Sequence, residues 1–227
     1  MIGTMSAARS ITATALAFTA LATVAGTLQV TITGADGKPA ADTVVLVQPS
    51  APSPVQPPAE PVVIGQKDIR FQPYVSVVQV GGTVRFVNRD TFDHHVRSQA
   101  GGPLGSVPPA KEFEFRLARA RGGVETSADL KLDVPGTVLL GCHLHNSMRG
   151  HLYVSSSPWY AVTDDKGRAK IDGVPDGAAE VRLWHPDQLV DQPLLKVQVA
   201  GTASADSRLN FTPRKRPPPV RKGEYDF

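Results

Sequence analysis

The stretch TVLLGCHLHNSMRG, residues 137–150, decides the reading of this chain. A β-rich run, Thr137 to Cys142, ends in the only cysteine of the protein. His145 and Met148 follow at three-residue steps, giving the spacing C-x-x-H-x-x-M. A strand, a tight loop and a second strand from His151 to Ser155 would hold all three side chains at one end of a sheet. A thiolate, an imidazole and a thioether are soft and borderline donors, the set that suits copper. One short loop cannot surround an ion, so a third strong ligand is expected from a distant strand end. Asn88 to Val96 (NRDTFDHHV) offers it, directly after the run TVRFV at 83–87. Two His, one Cys and a weak axial Met make a trigonal copper arrangement.

The rest of the chain also reads as strands. Around the decisive stretch lie VSVVQV (75–80), TVRFV (83–87), EFEFRL (112–117), DLKLDV (129–134) and HLYVS (151–155), with Gly81-Gly82 and Pro135-Gly136 as turns. The stretch FRLARARGG (115–123) is expected to be an exposed loop. Upstream stand TLQVTIT (27–33) and DTVVLVQ (42–48) around a Gly-Ala-Asp-Gly-Lys-Pro turn. Downstream stand WYAVTD (159–164), GRAKIDGV (167–174), AAEVRLWH (178–185), LKVQV (195–199) and SRLNFT (207–212). Two early strands cannot stand alone. Two plus five gives seven, a common sandwich number. From Pro49 to Pro61 six of thirteen residues are proline, an extended linker.

The block from 62 to 157 resembles the cupredoxins, the plastocyanin-like copper proteins. The loop C-x-x-H-x-x-M followed by Arg-Gly is most similar to that of amicyanin, and V-x-F-x-N-R-x-x-x-x-H-x-V (84–96) is similar to the family's first-ligand motif. The whole block, with Phe71-x-Pro73, also resembles exported cupredoxin-like proteins labelled methylamine utilisation proteins, which share the tandem His and a later W-H-P. The resemblance implies an eight-stranded Greek-key sandwich with one type 1 copper at one end, held by His94, Cys142, His145 and Met148. It implies His145 as the electron port. Two positions depart from the family. His95 stands where Asn or Ser is usual, and it is the alternative to His94 as ligand. Leu144 stands where amicyanin and plastocyanin carry Pro, which adds an N–H near the thiolate and is expected to raise the reduction potential. The flanking segments, GTLQVTITGADGKPAADTVVLV and AVTDDKGRAKIDGVPDGAAEVRLWHP, resemble a carboxypeptidase-regulatory, transthyretin-like sandwich repeat.

The expected fold class is therefore all-β: a cupredoxin Greek-key sandwich plus a second, seven-stranded sandwich. The organisation runs as a signal peptide (1–25), a split second sandwich (26–50 with 158–212), a linker (51–61), the cupredoxin block (62–157) and a disordered basic tail (213–227). The export reading rests on Arg9, the fifteen-residue run ITATALAFTALATVA and small residues at its end. That run is shorter than the roughly 20 apolar residues of a membrane span. The expected location is periplasmic, with no membrane anchor after cleavage.

Composition narrows the function. Lys and Arg number 24 against 21 Asp and Glu, so the net charge of +3 gives no case for nucleic acid. A single Cys excludes an internal disulfide and zinc sites built on several thiolates. Spacing offers no second His set for another copper, so the chain is expected to be a carrier and not an enzyme. The expected partners are a redox donor and acceptor, namely a dehydrogenase and a cytochrome c or oxidase. A copper-delivery module and an extracytoplasmic interaction protein are the alternatives; Met/His-rich tracts that would favour delivery are absent. His143 is read as a solvated loop residue, His151 as a surface residue and His185 as structural.

Overall fold

The computed structural model describes residues 25–50 and 58–216. Residues 1–24 of the segment read above as a signal peptide (1–25), residues 51–57 of the expected linker and the tail from 217 lie outside the described residues. Sixteen strands follow in order: β1 (Ala25–Thr33), β2 (Val44–Pro49), β3 (Val62–Gln66), β4 (Phe71–Gln72), β5 (Val75–Gln79), β6 (Thr83–Asn88), β7 (His94–Gln99), β8 (Glu114–Leu117), β9 (Thr126–Lys131), β10 (Gly136–Cys142), β11 (Arg149–Ser155), β12 (Trp159–Val162), β13 (Arg168–Pro175), β14 (Gly177–Trp184), β15 (Leu195–Val199) and β16 (Thr202–Arg208). No α-helix occurs among the described residues, and no helix there is long and apolar enough to cross a membrane. The chain is all-β, with two sandwiches.

One sandwich pairs the sheet β5-β11-β10-β7-β8 with the sheet β4-β3-β6-β9. That is nine strands where the resemblance implied eight, because the two-residue β4 pairs with the end of β3. Its core gathers Ile64, Phe71, Val84, Phe86, Val96, Leu132, Leu140, Leu152 and Val154, together with Cys142 and Met148. Phe86 is fully buried, edge-on to Phe115 at 5.4 Å between ring centroids. Alternation along β6 puts Val84 and Phe86 inside and Arg85 outside, as strand geometry requires.

The other sandwich pairs β13-β1-β16 with β12-β2-β14-β15, seven strands in all. β1 pairs with β13 and β16, and β2 with β12 and β14. Pairing thus jumps across the whole middle block, and the first two strands complete sheets whose other members come after residue 158.

Three local expectations change. The last strand is Thr202–Arg208, not 207–212: TASADSR lacks an apolar run, but its parallel pairing with β1 supplies the ladder. Phe115–Leu117, covered both by the strand run 112–117 and by the expected loop 115–123, belongs to β8 and pairs with β7, so the loop begins only after Leu117. Residues 213–216, assigned above to the tail, lie against the fold. Arg214 Nε meets Asp187 Oδ1 at 3.2 Å, and Arg216 Nη2 meets Asp42 Oδ2 at 2.9 Å. Arg216 also sits 5.2 Å over the Tyr74 ring.

The two sandwiches meet along an apolar seam. Val44 and Leu46 of β2 and Val75 and Val77 of β5 are buried there, with the partly buried Tyr74, Tyr153, Tyr160, Val162 and Trp184 packed against them. In β2, Val45 and Val47 face the sandwich interior while Val44 and Leu46 face the seam. A strand buried on both faces reads as a continuous apolar run, and VVLV is one. Each such side chain stabilises by about 1.5–3 kcal/mol when fully buried. His151 is a further correction. It stands in the seam, with its ring 5.1 Å from Tyr74 and 6.0 Å from Trp184, rather than on the surface.

Candidate metal centre

The loop from β6 to β7 is shaped by Asn88, which is fully buried. Its Nδ2 donates to the carbonyls of Phe92 and Ala118 at 2.9 and 3.0 Å, and its Oδ1 accepts from Asp90 N at 2.9 Å. This turn aims His94 inward at the start of β7. On the neighbouring strand, Cys142 pairs in register with Val96, so the thiol emerges beside His94. The loop after Cys142 closes on itself as Met148 N donates to His145 O at 2.9 Å. Gly150 lets β11 approach Phe71, whose Cβ stands 2.8 Å from where a side-chain carbon would sit.

Cys142 Sγ lies 3.7 Å from His94 Nδ1 and 3.5 Å from His145 Nδ1. The three donor atoms lie within 4.8 Å of one another. Met148 is 1% exposed and belongs to the same core cluster as Cys142, at the far end of the loop. His94 and Cys142 are buried, whereas His145 reaches toward solvent. Around it, Phe92 and Leu144 are exposed apolar side chains, and the Phe92 ring stands 5.2 Å from that of His145.

The far side of His94 is fixed by a carboxylate. Asp90 Oδ2 stands 2.9 Å from His94 Nε2, both side chains being buried. Asp90 is itself held by the main-chain N–H groups of Asp68 at 2.9 Å and Ile69 at 3.4 Å. A carboxylate on one ring nitrogen sets the tautomer and leaves the other nitrogen free for a metal. Burial pulls the His94 imidazole down, but Asp90 and Cys142 outweigh it and raise the group above its ordinary value. Burial pushes the Cys142 thiol up. The His94 ring and the main-chain N–H groups of His95, Leu144 and His145 outweigh that and favour the thiolate. The His95 N–H points at the sulfur from 3.4 Å. Burial lowers His145, and the neighbouring His94 charge adds to it.

The residues present fit a copper ion. A thiolate-biased sulfur and two Nδ1 atoms converge in a buried, apolar-walled end of a sandwich, the chemistry copper(II) and copper(I) both accept.

His95 and His143 go elsewhere. His95 on β7 and His143, the first residue past the end of β10, point to the opposite face, where they meet Glu114. His143 is the solvated loop residue expected, and with His95 it forms a second histidine pair beside Glu114. Their signal was the tandem placement: each directly follows a donor on a strand, and side chains alternate.

No family model matches the chain, and no curated protein matches it. Among solved structures, the chain is similar to a copper-containing nitrite reductase from Thermus scotoductus SA-01, at 24% identity and a TM-score of 0.36 over 48% of this chain and 25% of that one. The chain thus spans about a quarter of the reductase's length. It is also similar to amicyanin from Paracoccus versutus, at 19% identity and a TM-score of 0.33 over 48% of this chain and 97% of that one.

Proposed function

We propose that this chain is an exported type 1 copper protein, a periplasmic electron carrier that binds one copper through His94, Cys142, His145 and Met148. The observation that supports this most is the convergence of Cys142 Sγ with the Nδ1 atoms of His94 and His145, at 3.7 and 3.5 Å. Copper there supplies a one-electron couple. The protein supplies a scaffold that changes little during transfer: His94 is pinned by Asp90, Cys142 by the His95 N–H, and both side chains are buried. His145 is the port through which electrons enter and leave. The exposed Phe92 and Leu144 beside it give a small apolar docking patch, suited to brief encounters with a dehydrogenase and a cytochrome c or oxidase. In this reading residues 62–157 are the redox unit, and 26–50 with 158–212 form a sandwich into which it is inserted. The methylamine utilisation label is carried by resemblance alone.

The test is the visible spectrum of the exported protein after one equivalent of Cu(II), beside Cys142→Ser. An intense thiolate-to-copper band that the variant lacks is the expected result. A colourless copper protein, with Cys142→Ser binding copper equally well, would overturn the reading.

A further inference from the structure

We propose that His95, Glu114 and His143 form a second metal site, for a first-row divalent cation such as Zn²⁺ or Cu²⁺, on the outer face of the sheet that carries Cys142. It shares no donor with the first site and does not rest on the electron-carrier reading.

His95 Nε2 stands 2.8 Å from Glu114 Oε1, and His143 Nδ1 stands 3.7 Å from the same oxygen. One donor atom from each residue falls within 4.8 Å of the other two. The two imidazoles are stacked, with centroids 5.4 Å apart and planes 30° from parallel. Their backbones are tied where His143 N donates to His95 O at 3.0 Å. Glu114 comes from β8, which runs antiparallel to β7 with Glu114 opposite Arg97, so its side chain lies diagonally beside His95. Arg116 is directly opposite His95 and is the cation placed to neutralise that carboxylate. It is instead taken by Asp93, at 2.9 Å through Nε. Among the described residues, the ion-pair partners found for Glu114 are the two imidazoles.

Two imidazoles and one carboxylate are the donor set of open zinc sites and of other two-histidine, one-carboxylate metal sites. The side chains are 30%, 53% and 53% exposed, so an ion has access and keeps positions for water. Affinities along the first row favour Cu²⁺, with Zn²⁺ also strongly bound. Strand alternation explains why two sites arise here. His94 and Cys142 point in while His95 on β7 and His143, one residue past the end of β10 and bonded to the His95 carbonyl, point out, so the same sheet end offers donors on both faces.

The test is a Zn²⁺ titration of the full chain carrying Cys142→Ser and His145→Ala, which removes the first cluster as a competitor. One Zn²⁺ per chain is expected. Adding Glu114→Gln or His143→Ala should weaken binding at least tenfold, without loss of thermal stability. Imidazole resonances of His95 and His143 should shift with Zn²⁺ while those of His151 and His185 stay in place. Absence of Zn²⁺ binding, or affinity unchanged by either added variant, overturns the site. If the double variant does not fold, wild-type protein preloaded with one equivalent of Cu⁺ gives the same readings. Loss of the blue band alone would leave this titration unaffected.

Discussion

His94 and His95 are neighbours in sequence and stand in opposite environments. His94 lies in the core with a buried carboxylate on Nε2 and a sulfur near Nδ1. His95, the next residue, is partly exposed and faces Glu114 and His143. The same step separates Cys142 from His143. His94 and His95 carry the same donor, so donor type does not make the difference between them. The side of the sheet decides burial, and burial decides which ions and partners each group can meet. A third histidine marks the boundary: His151 is half-buried in the seam, where the Tyr74 hydroxyl stands beside its ring and, among the described residues, no carboxylate is bonded to it.

The sharpest way to break this contrast is to remove the sulfur. Cys142→Ser is expected to abolish the intense visible copper band entirely, while binding at the outer trio persists. Persistence of the band would mean that another group supplies the charge transfer, and the inner and outer faces would no longer be distinct.

Next in size is the acid response of His151. Burial lowers its pKa from the ordinary 6.5 to about 4. The unfolded chain takes up this proton near pH 6.5 and the folded chain only near pH 4. Stability is therefore complete above 6.5, falls as the pH drops, and levels off below about 4, for a loss of about 3 kcal/mol. The Tyr74 hydroxyl stands 3.1 Å from Nε2, within hydrogen-bond reach of the neutral ring. In thermal melts from pH 7 to 4 the wild type should lose stability relative to His151→Phe, because the variant lacks this loss. Parallel curves would show that the seam tolerates the charge.

Asp90→Ala tests the carboxylate that separates His94 from His151. Loss of a carboxylate that orients a metal-bound imidazole costs about 10–100-fold in metal affinity. Competitive copper titration should read a weakening in that range, with Glu114→Gln leaving copper at the inner site unchanged. Equal effects of the two would erase the distinction between the faces.

The smallest effect concerns Leu144, whose N–H is one of three main-chain groups favouring the thiolate. Leu144→Pro removes that donor. One hydrogen bond of about 1 kcal/mol corresponds to a fall of about 40 mV in the one-electron potential. An unchanged or higher potential by voltammetry would remove Leu144 from the account.

Much of the site was legible before folding was considered. Cys142, His145 and Met148 share one loop, so their spacing alone brings them together. His94 was reachable because the strand Thr83–Asn88 ends just before it. Glu114 was not legible. It lies nineteen residues from His95 and joins it only through the β7–β8 register, which no local pattern specifies. The strand Thr202–Arg208 was missed for a related reason: its polar sequence takes its order from parallel pairing with β1, over 170 residues away. The run VVLV at 44–47 announced burial on both faces, yet what covers the second face is β5, from the other sandwich.

By itself, then, the sequence determined what alternation, turn chemistry and donor type can carry: an all-β chain, a buried-strand pattern, and a Cys, His and Met on one loop. Tertiary structure alone decided that His95 and His143 turn away from the sulfur, that Glu114 stands beside them, and that His151 lies in a seam. Side-chain direction follows from strand register, and a ring's protonation follows from what is packed around it. Both are set by contacts between segments far apart in the chain.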